Sequence, residues 1–320
     1  MSPRIAALEA RPEPSRQQRL AGLECRWLGR GDLSLSPAQA LQAVLARERD
    51  QALPMELAEL GGTFLKGGPV RGGAAWRRGL AAHLGNEPPR LYEYRNLHEL
   101  RSLGFLAPEP LQAGAAFVGL RLVAQWLLTT RLDNSGTLEA AIAPTDLGAT
   151  LTRRRAASLA AVARSVGRLH GLGWFHGDLY PRNLLLVGPG SQVEAAVIDL
   201  WRGGPLPRPR ARRLPARWLR AFARDLGCFF LHGALWLLPG EQRAFLARYL
   251  ASLGEALESR GLSGPKRADL LRAVAAARAA ERERFAADPR RQAGRPMPPA
   301  LWTPPPASEL DWPLRSPGQG

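Results

Sequence analysis

The chain has 320 residues, 45% of them hydrophobic, and a mean hydropathy of −0.20; that is material for about two domains and excludes a disordered chain. Only two cysteines are present, Cys25 and Cys228, which excludes a disulfide scaffold and reads as reduced thiols in a cytosolic protein. The net charge of +16 points to anionic partners, such as nucleic acid, an anionic membrane or phosphorylated substrates, or to an arginine-rich composition alone.

Residues 1–20 are polar and Pro-containing and are expected to form a poorly ordered arm. Met1 to Ala10 has no apolar run, so no signal peptide is read there. Glu24 to Leu28 suits a strand, and Ser36-Pro37 suits the cap and first residue of a helix to about Arg49. Gly61-Gly62 marks a turn before a short strand, Thr63 to Lys66. A Gly- and Arg-rich stretch, Gly67 to Gly79, follows. Leu97, Leu100 and Leu103 set a helix from about Leu91, closed by Gly104. Two strands follow, Val118 to Leu122 and Ala124 to Thr130, and then a polar break at Asp133-Asn134-Ser135-Gly136 that suits a hinge.

Beyond the hinge, Leu159, Val162, Val166 and Leu169 form the buried stripe of a helix from about Ala156 to His170. Short apolar strands are expected at Leu184 to Val187 and Ala195 to Leu200. Helices follow at Arg217 to Leu238, Gly240 to Leu253 and Lys266 to Phe285, and the tail from residue 288 is Pro- and Gly-rich. The apolar stretch from Cys228 to Leu238 is too short to cross a bilayer, so a cytoplasmic protein is expected. The order predicts an α+β fold in two lobes, 21–132 and 133–287, between the arm 1–20 and the tail 288–320.

The segment from Trp174 to Leu200 holds the chemistry. Phosphoryl transfer needs an in-line hydroxyl, a group to accept its proton, and cations on the phosphates. Asp178 suits the proton acceptor, because a carboxylate is ionised at neutral pH. Asn183 offers a neutral oxygen and Asp199 a charged one, the kind of hard ligands that Mg²⁺ takes alongside phosphates and water. By composition, His176 with Asp at +2 and Asn at +7 arises by chance in roughly one such chain in five hundred. A polar turn satisfying its own backbone and a zinc site are the alternatives, and the latter lacks further nearby His or Cys ligands.

His176-x-Asp178-x-x-x-x-Asn183 followed by Ile198-Asp199 resembles the catalytic and metal loops of the protein-kinase-like superfamily. More narrowly, Leu169-His-Gly-Leu-Gly-Trp-Phe-His176-Gly-Asp178-Leu-Tyr180, Ile198-Asp199-Leu-Trp-Arg202 and Arg71-Gly72-Gly73 resemble the bacterial lipopolysaccharide core kinases, the Kdo/WaaP family. The resemblance covers about residues 60–235. It implies a bilobal kinase-like fold, with a β-rich small lobe carrying one main helix and a larger helical lobe. It also implies ATP and Mg²⁺ as cofactors and a small-lobe Lys paired with a Glu on the next helix. Lys66 fits, since only it and Lys266 are lysines among 44 basic residues; a surface lysine is the alternative. Glu93 shares the inward face with Leu97 and Leu100, whereas Glu99 faces outward with Arg95 and Ser102.

Gly29, Gly31, Gly61 and Gly62 are candidates for a phosphate-covering loop, but neither pair has the full spacing. His176 is expected to brace the catalytic loop, and Asp225 to cap that loop's backbone or to form a surface ion pair. Gly177 stands where regulated kinases have Arg, which argues against switching by activation-loop phosphorylation.

The short segment after Asp199 leaves little platform for a peptide. It carries Arg202, Arg208, Arg210, Arg212, Arg213, Arg217 and Arg220, suited to phosphate and carboxylate recognition. The resemblance implies phosphorylation of a Kdo or heptose hydroxyl on an anionic lipid-linked core, with peripheral contact at the inner membrane and no nucleic acid. Another small-molecule or protein acceptor, or a non-catalytic scaffold, are the other readings.

Overall fold

The structure is a computed structural model, and it describes residues 15–133, 135–142, 149–190, 192–209 and 212–287. The expected arm up to residue 14, the tail from 288, Asn134 of the expected hinge and Arg210 lie outside the described residues. The described chain divides into two compact units: 15–133 with Val197–Arg202, and 135–196 with 203–287. Val197–Arg202 thus groups with the first unit, although the sequence places it within 133–287.

The first unit is built on a six-stranded antiparallel sheet ordered β1-β2-β5-β6-β4-β3. Its strands are β1 (Arg16–Leu20), β2 (Leu23–Gly29), β3 (Gln51–Leu57), β4 (Gly61–Pro69), β5 (Pro110–Val118) and β6 (Arg121–Thr130). The arm expected over 1–20 is therefore corrected at its end: Arg16–Leu20 pairs residue by residue with Leu23 to Trp27. Cross-strand hydrogen bonds order this polar stretch where composition alone does not. The strand expected at Val118 to Leu122 is instead the β5–β6 turn, Gly119 holding a positive φ of 53°.

Helix α1 (Pro37–Leu45) starts as its sequence requires. The Ser36 side chain accepts from the Gln39 backbone, and Gln39 returns a contact to the Ser36 N–H at 2.9 Å. Ala40, Leu41 and Val44 then pack on Trp27, Leu65, Trp126 and Leu128 in the core. Each such large buried side chain contributes about 1.5–3 kcal/mol. Helix α2 (Gly72–His83) forms in the Gly/Arg-rich stretch, to which the sequence reading assigns no element, and α3 (Pro89–Ser102) follows it.

The second unit is mainly helical. It contains α4 (Leu138–Ile142), α5 (Ala149–Gly171), α6 (Ala216–Trp236), α7 (Pro239–Glu258) and α8 (Arg267–Ala286). Glycines 167 and 171 on α5 let α7 approach closely: a Cβ there would lie 2.6 Å from the Tyr249 carbonyl oxygen and 2.4 Å from the Ala256 Cβ. Strands β7 (Ser135–Thr137), β9 (Leu184–Val187) and β10 (Glu194–Val197) form one small sheet, and β8 (Trp174–Phe175) pairs with β11 (Gly204–Pro205). The α+β class is as the sequence led us to expect.

Candidate active site

In the first unit, Lys66 lies in β4, held between β3 and β6. Two features fix that strand. Gly67 has a φ of 143°, and a Cβ there would fall 2.2 Å from the Gln125 carbonyl oxygen, so only glycine allows β6 this close. The buried Arg47 guanidinium donates to the carbonyls of Gln51, Leu65 and Gly67 at 3.0, 3.1 and 3.0 Å, tying β3 and β4 together beside the lysine. Burial pushes Arg47 below the usual arginine value, with Asp50 opposing that shift.

Lys66 Nζ donates to Glu93 Oε1 at 2.8 Å and to Asp199 Oδ1 at 2.5 Å. The structure thus brings together three of the residues singled out in the sequence. Glu93 points inward from α3 with 2% of its side chain exposed, and Glu99 is half-buried on another face. Asp199 has a φ of 66°, a left-handed backbone that costs about 1–3 kcal/mol for a residue with a Cβ and that clusters at functional sites. Asn96 of α3 steadies the same segment by donating to the Leu200 carbonyl at 2.8 Å.

Sequence reasoning missed Arg90 and Asp50. Arg90 Nη1 donates to Glu93 Oε2 at 2.5 Å, and Nη2 donates to Asp50 Oδ1 at 2.7 Å. Burial lowers Arg90's affinity for its proton, but Glu93, Asp50 and Asp199 outweigh it and hold the pKa above the usual value. Glu93 is therefore clamped by two cations, and a buried carboxylate is stable only when so partnered. The readable signal was the i, i+3 spacing of Arg90 and Glu93 on one helix.

These residues open on a cleft of about 260 Å³ lined by Asp50, Gln51, Ala52, Lys66, Arg78, Pro89, Arg90, Gln125, Asp199 and Trp201. Among the described residues, no glycine lines it. Gly29 instead faces the Leu111 carbonyl, and Gly61 has the positive φ of the β3–β4 turn. Arg78, from α2, makes no ion pair among the described residues.

In the second unit, Asp178 and Asn183 share one tight loop ending in a 3₁₀ turn, Pro181–Asn183. Asn183 Nδ2 donates to the Asp178 carbonyl at 2.8 Å, so the amide nitrogen ties the loop to its own backbone. Arg182, stacked on Tyr180 at 4.2 Å, has its guanidinium 3.7 Å from Asp178 Oδ2. Asp225 braces this loop from beneath: Oδ2 accepts from the His176 N–H at 2.6 Å, and Oδ1 accepts from the Gly177 N–H at 2.8 Å. It is wholly buried, so of the two readings open for it the cap is correct. His176 Nδ1 in turn accepts from the Asp178 N–H at 3.2 Å, the bracing expected of it. Gly177 has a φ of 77°, which suits glycine there better than arginine.

Among the described residues, no group of three or more His, Cys, Asp or Glu could hold a metal ion by itself. Mg²⁺ is a cation that takes one or two protein oxygens and completes its shell with phosphate and water. Asp199 in the first unit and Asn183 in the second each carry a side-chain oxygen that could serve as such a donor.

Residues 77–226 match the model of the lipopolysaccharide kinase (Kdo/WaaP) family. The match includes Glu93, Asp178, Asn183 and Asp199, and begins after Lys66 and Arg71-Gly72-Gly73. Among solved structures, WaaP in complex with acyl carrier protein is similar at 21% identity over 70% of this chain and 89% of that chain, with a TM-score of 0.46. The BubR1 kinase domain is similar at 13% identity over 62% of this chain and 53% of that one, with a TM-score of 0.30. No curated protein matches the chain. Over residues 77–226 the chain is thus similar to the lipopolysaccharide kinase (Kdo/WaaP) family, a family of kinases.

Proposed function

We propose that the protein transfers the γ-phosphoryl group of ATP to a sugar hydroxyl, Kdo or heptose, of a lipid-linked lipopolysaccharide core. The observation that supports this most is the ion-paired Lys66, held by Glu93 and Asp199 at the mouth of a cleft. Lys66 is the point charge for the α- and β-phosphates, and Glu93 positions it. Asp199 and Asn183 are the Mg²⁺ ligands, and the bound ion supplies charge neutralisation on the phosphates. Asp178 orients the acceptor hydroxyl and takes its proton as the new O–P bond forms and the bond to ADP breaks. We assign the nucleotide role to 21–132 and the catalytic and acceptor role to 133–287.

A sugar acceptor is favoured over a peptide by the short connection from β10 to α6. Arg208, Arg212, Arg213, Arg217 and Arg220 are exposed along it and at the start of α6, a cationic strip suited to the phosphates and carboxylates of such a core. The acceptor is presented at a membrane surface. Peripheral contact there is part of this reading; among the described residues no helix is long and apolar enough to cross a membrane.

The test is incubation with Mg-ATP and core oligosaccharides, with and without lipid, followed by weighing of products. Asp178→Asn lowers turnover by about 10²- to 10⁴-fold with ATP binding nearly intact. Asp199→Ala weakens Mg-ATP binding as well. Full activity in either variant refutes the role of the residue replaced.

A further inference from the structure

Helix α2 is built the wrong way round for a helix that serves a core. Its buried residues are small, Ala75, Gly79 and Ala82, and its bulky apolar residues face outward. Trp76, Leu80 and Leu84 recur at spacing four, so they form one stripe on the face opposite the buried one. Leu84 is 76% exposed and Trp76 53%. The β5–β6 turn extends the stripe with Val118 and Leu120, both exposed. The two parts adjoin, because Gly79 packs against the Leu120 carbonyl and the Arg121 guanidinium lies 5.5 Å from the centre of the Trp76 ring. Among the described residues, five of the eight exposed large hydrophobic side chains lie here. Exposed apolar residues scattered singly need no explanation, but a contiguous set does.

The charge around the stripe decides what it fits. Arg71, at the start of α2, and Arg77 and Arg121 are exposed beside it. Arg26 is half-buried, with its guanidinium over Phe117 and donating to the Ala82 carbonyl. Neither Gly72 to Leu84 nor Val118 to Arg121 contains a carboxylate; Glu24 lies opposite Phe117 in the β2–β5 register, and Glu87, three residues past Leu84, is paired with Arg95. A twelve-residue helix is only about 18 Å long. One such stripe is well short of the ~800 Å² per partner that a stable protein interface buries. An apolar stripe with tryptophan and leucine on one face and arginine at its edges is instead what lies in the headgroup region of an anionic bilayer.

We propose that the outer face of α2, with the β5–β6 turn, is the surface by which this protein docks on an anionic membrane. Its purpose rests on the lipid-linked acceptor proposed above, but its geometry does not. The opposite flank of α2 carries Arg78 into the cleft, so one short helix serves both the membrane face and the Lys66 cleft.

The test is sedimentation of the full chain with vesicles of phosphatidylcholine alone or with added phosphatidylglycerol. Wild-type protein binds the anionic vesicles, less so at high salt. Leu80→Ser with Leu84→Ser weakens that binding by about tenfold or more. The double variant's melting temperature stays unchanged, because both side chains are already exposed, and so does its transfer to a soluble, delipidated core oligosaccharide. Replacing Arg208, Arg212 and Arg217 with Glu leaves vesicle binding in place. The proposal is overturned if the double variant binds like wild type or if wild type ignores anionic vesicles. It is equally overturned if the second-unit arginines carry the binding, or if the double variant dissociates a wild-type dimer. Vesicle binding without phosphoryl transfer would sink the kinase reading and leave the membrane face standing.

Discussion

Asp225 offers the most direct measure of how the Asp178 loop is held. Its carboxylate is fully buried and receives two backbone N–H groups, from His176 and Gly177 at 2.6 and 2.8 Å, while Oδ2 also lies 3.2 Å from His170 Nε2. Asp225→Asn keeps the volume but must turn an NH₂ group toward one of the backbone donors. One buried N–H is orphaned at about 1–3 kcal/mol, and the remaining bond loses its charge assistance, so the loss is about 2–4 kcal/mol. Asp225→Ala orphans both donors and leaves a hole, and costs about 4 kcal/mol or more. The assay is urea unfolding followed by circular dichroism, with thermal melts in parallel; the Asn variant is expected to melt about 5–10 °C lower. Both variants lower turnover more than nucleotide affinity, since the loop they loosen carries Asp178. A change within about 0.5 kcal/mol for Asp225→Asn, or an Ala variant no worse than the Asn one, would refute the bracing argument.

Two further perturbations test other parts of the structure. Burial pushes the Cys228 thiol up to about 12, with Glu281, Asp225 and Asp178 adding to the shift, and burial also raises Cys25, Tyr180 and Tyr249. Each of these groups binds its proton more tightly when folded, so its contribution is complete below the unfolded value and is lost as pH rises through the folded one. Stability in urea should therefore fall from about pH 8.5 upward, by about 1.4 kcal/mol per pH unit for each titrating group. Both thiols should resist labelling at pH 8 until the chain unfolds; flat alkaline stability, or labelling at the rate of a free thiol, contradicts this. Gly79→Ala would ordinarily stabilise a helix by about 1 kcal/mol. Here the new Cβ would sit 2.0 Å from the Leu120 carbonyl oxygen, so a loss of about 1–3 kcal/mol is expected, and a gain in melting temperature would show that α2 does not pack on this turn as described.

The elements legible from sequence are those whose signal is local. α3, α5 and α8 carry an apolar stripe on an otherwise polar helix, and β9 is a short apolar run bounded by turn residues. α2 was illegible because its inward residues are Ala and Gly, which give periodicity nothing to detect, and because Gly72-Gly73 reads as a break. It forms because small side chains let it lie directly on the β5–β6 turn. β1 was lost for a related reason: its stability is in its pairing to β2, not in its own residues.

For the candidate site, sequence alone determined which residue types stand at which spacing. The spacing of His176, Asp178 and Asn183, the Ile198-Asp199 pair and a lysine retained at position 66 in an arginine-rich chain are one-dimensional facts. Only tertiary structure could join Lys66 to Asp199, 133 positions away, or show that Arg90 and Asp50 complete the clamp on Glu93. Such partners are chosen by which strands pair and which helix face turns inward, and those choices come from burying apolar surface across the whole unit rather than from any stretch of residues read in order.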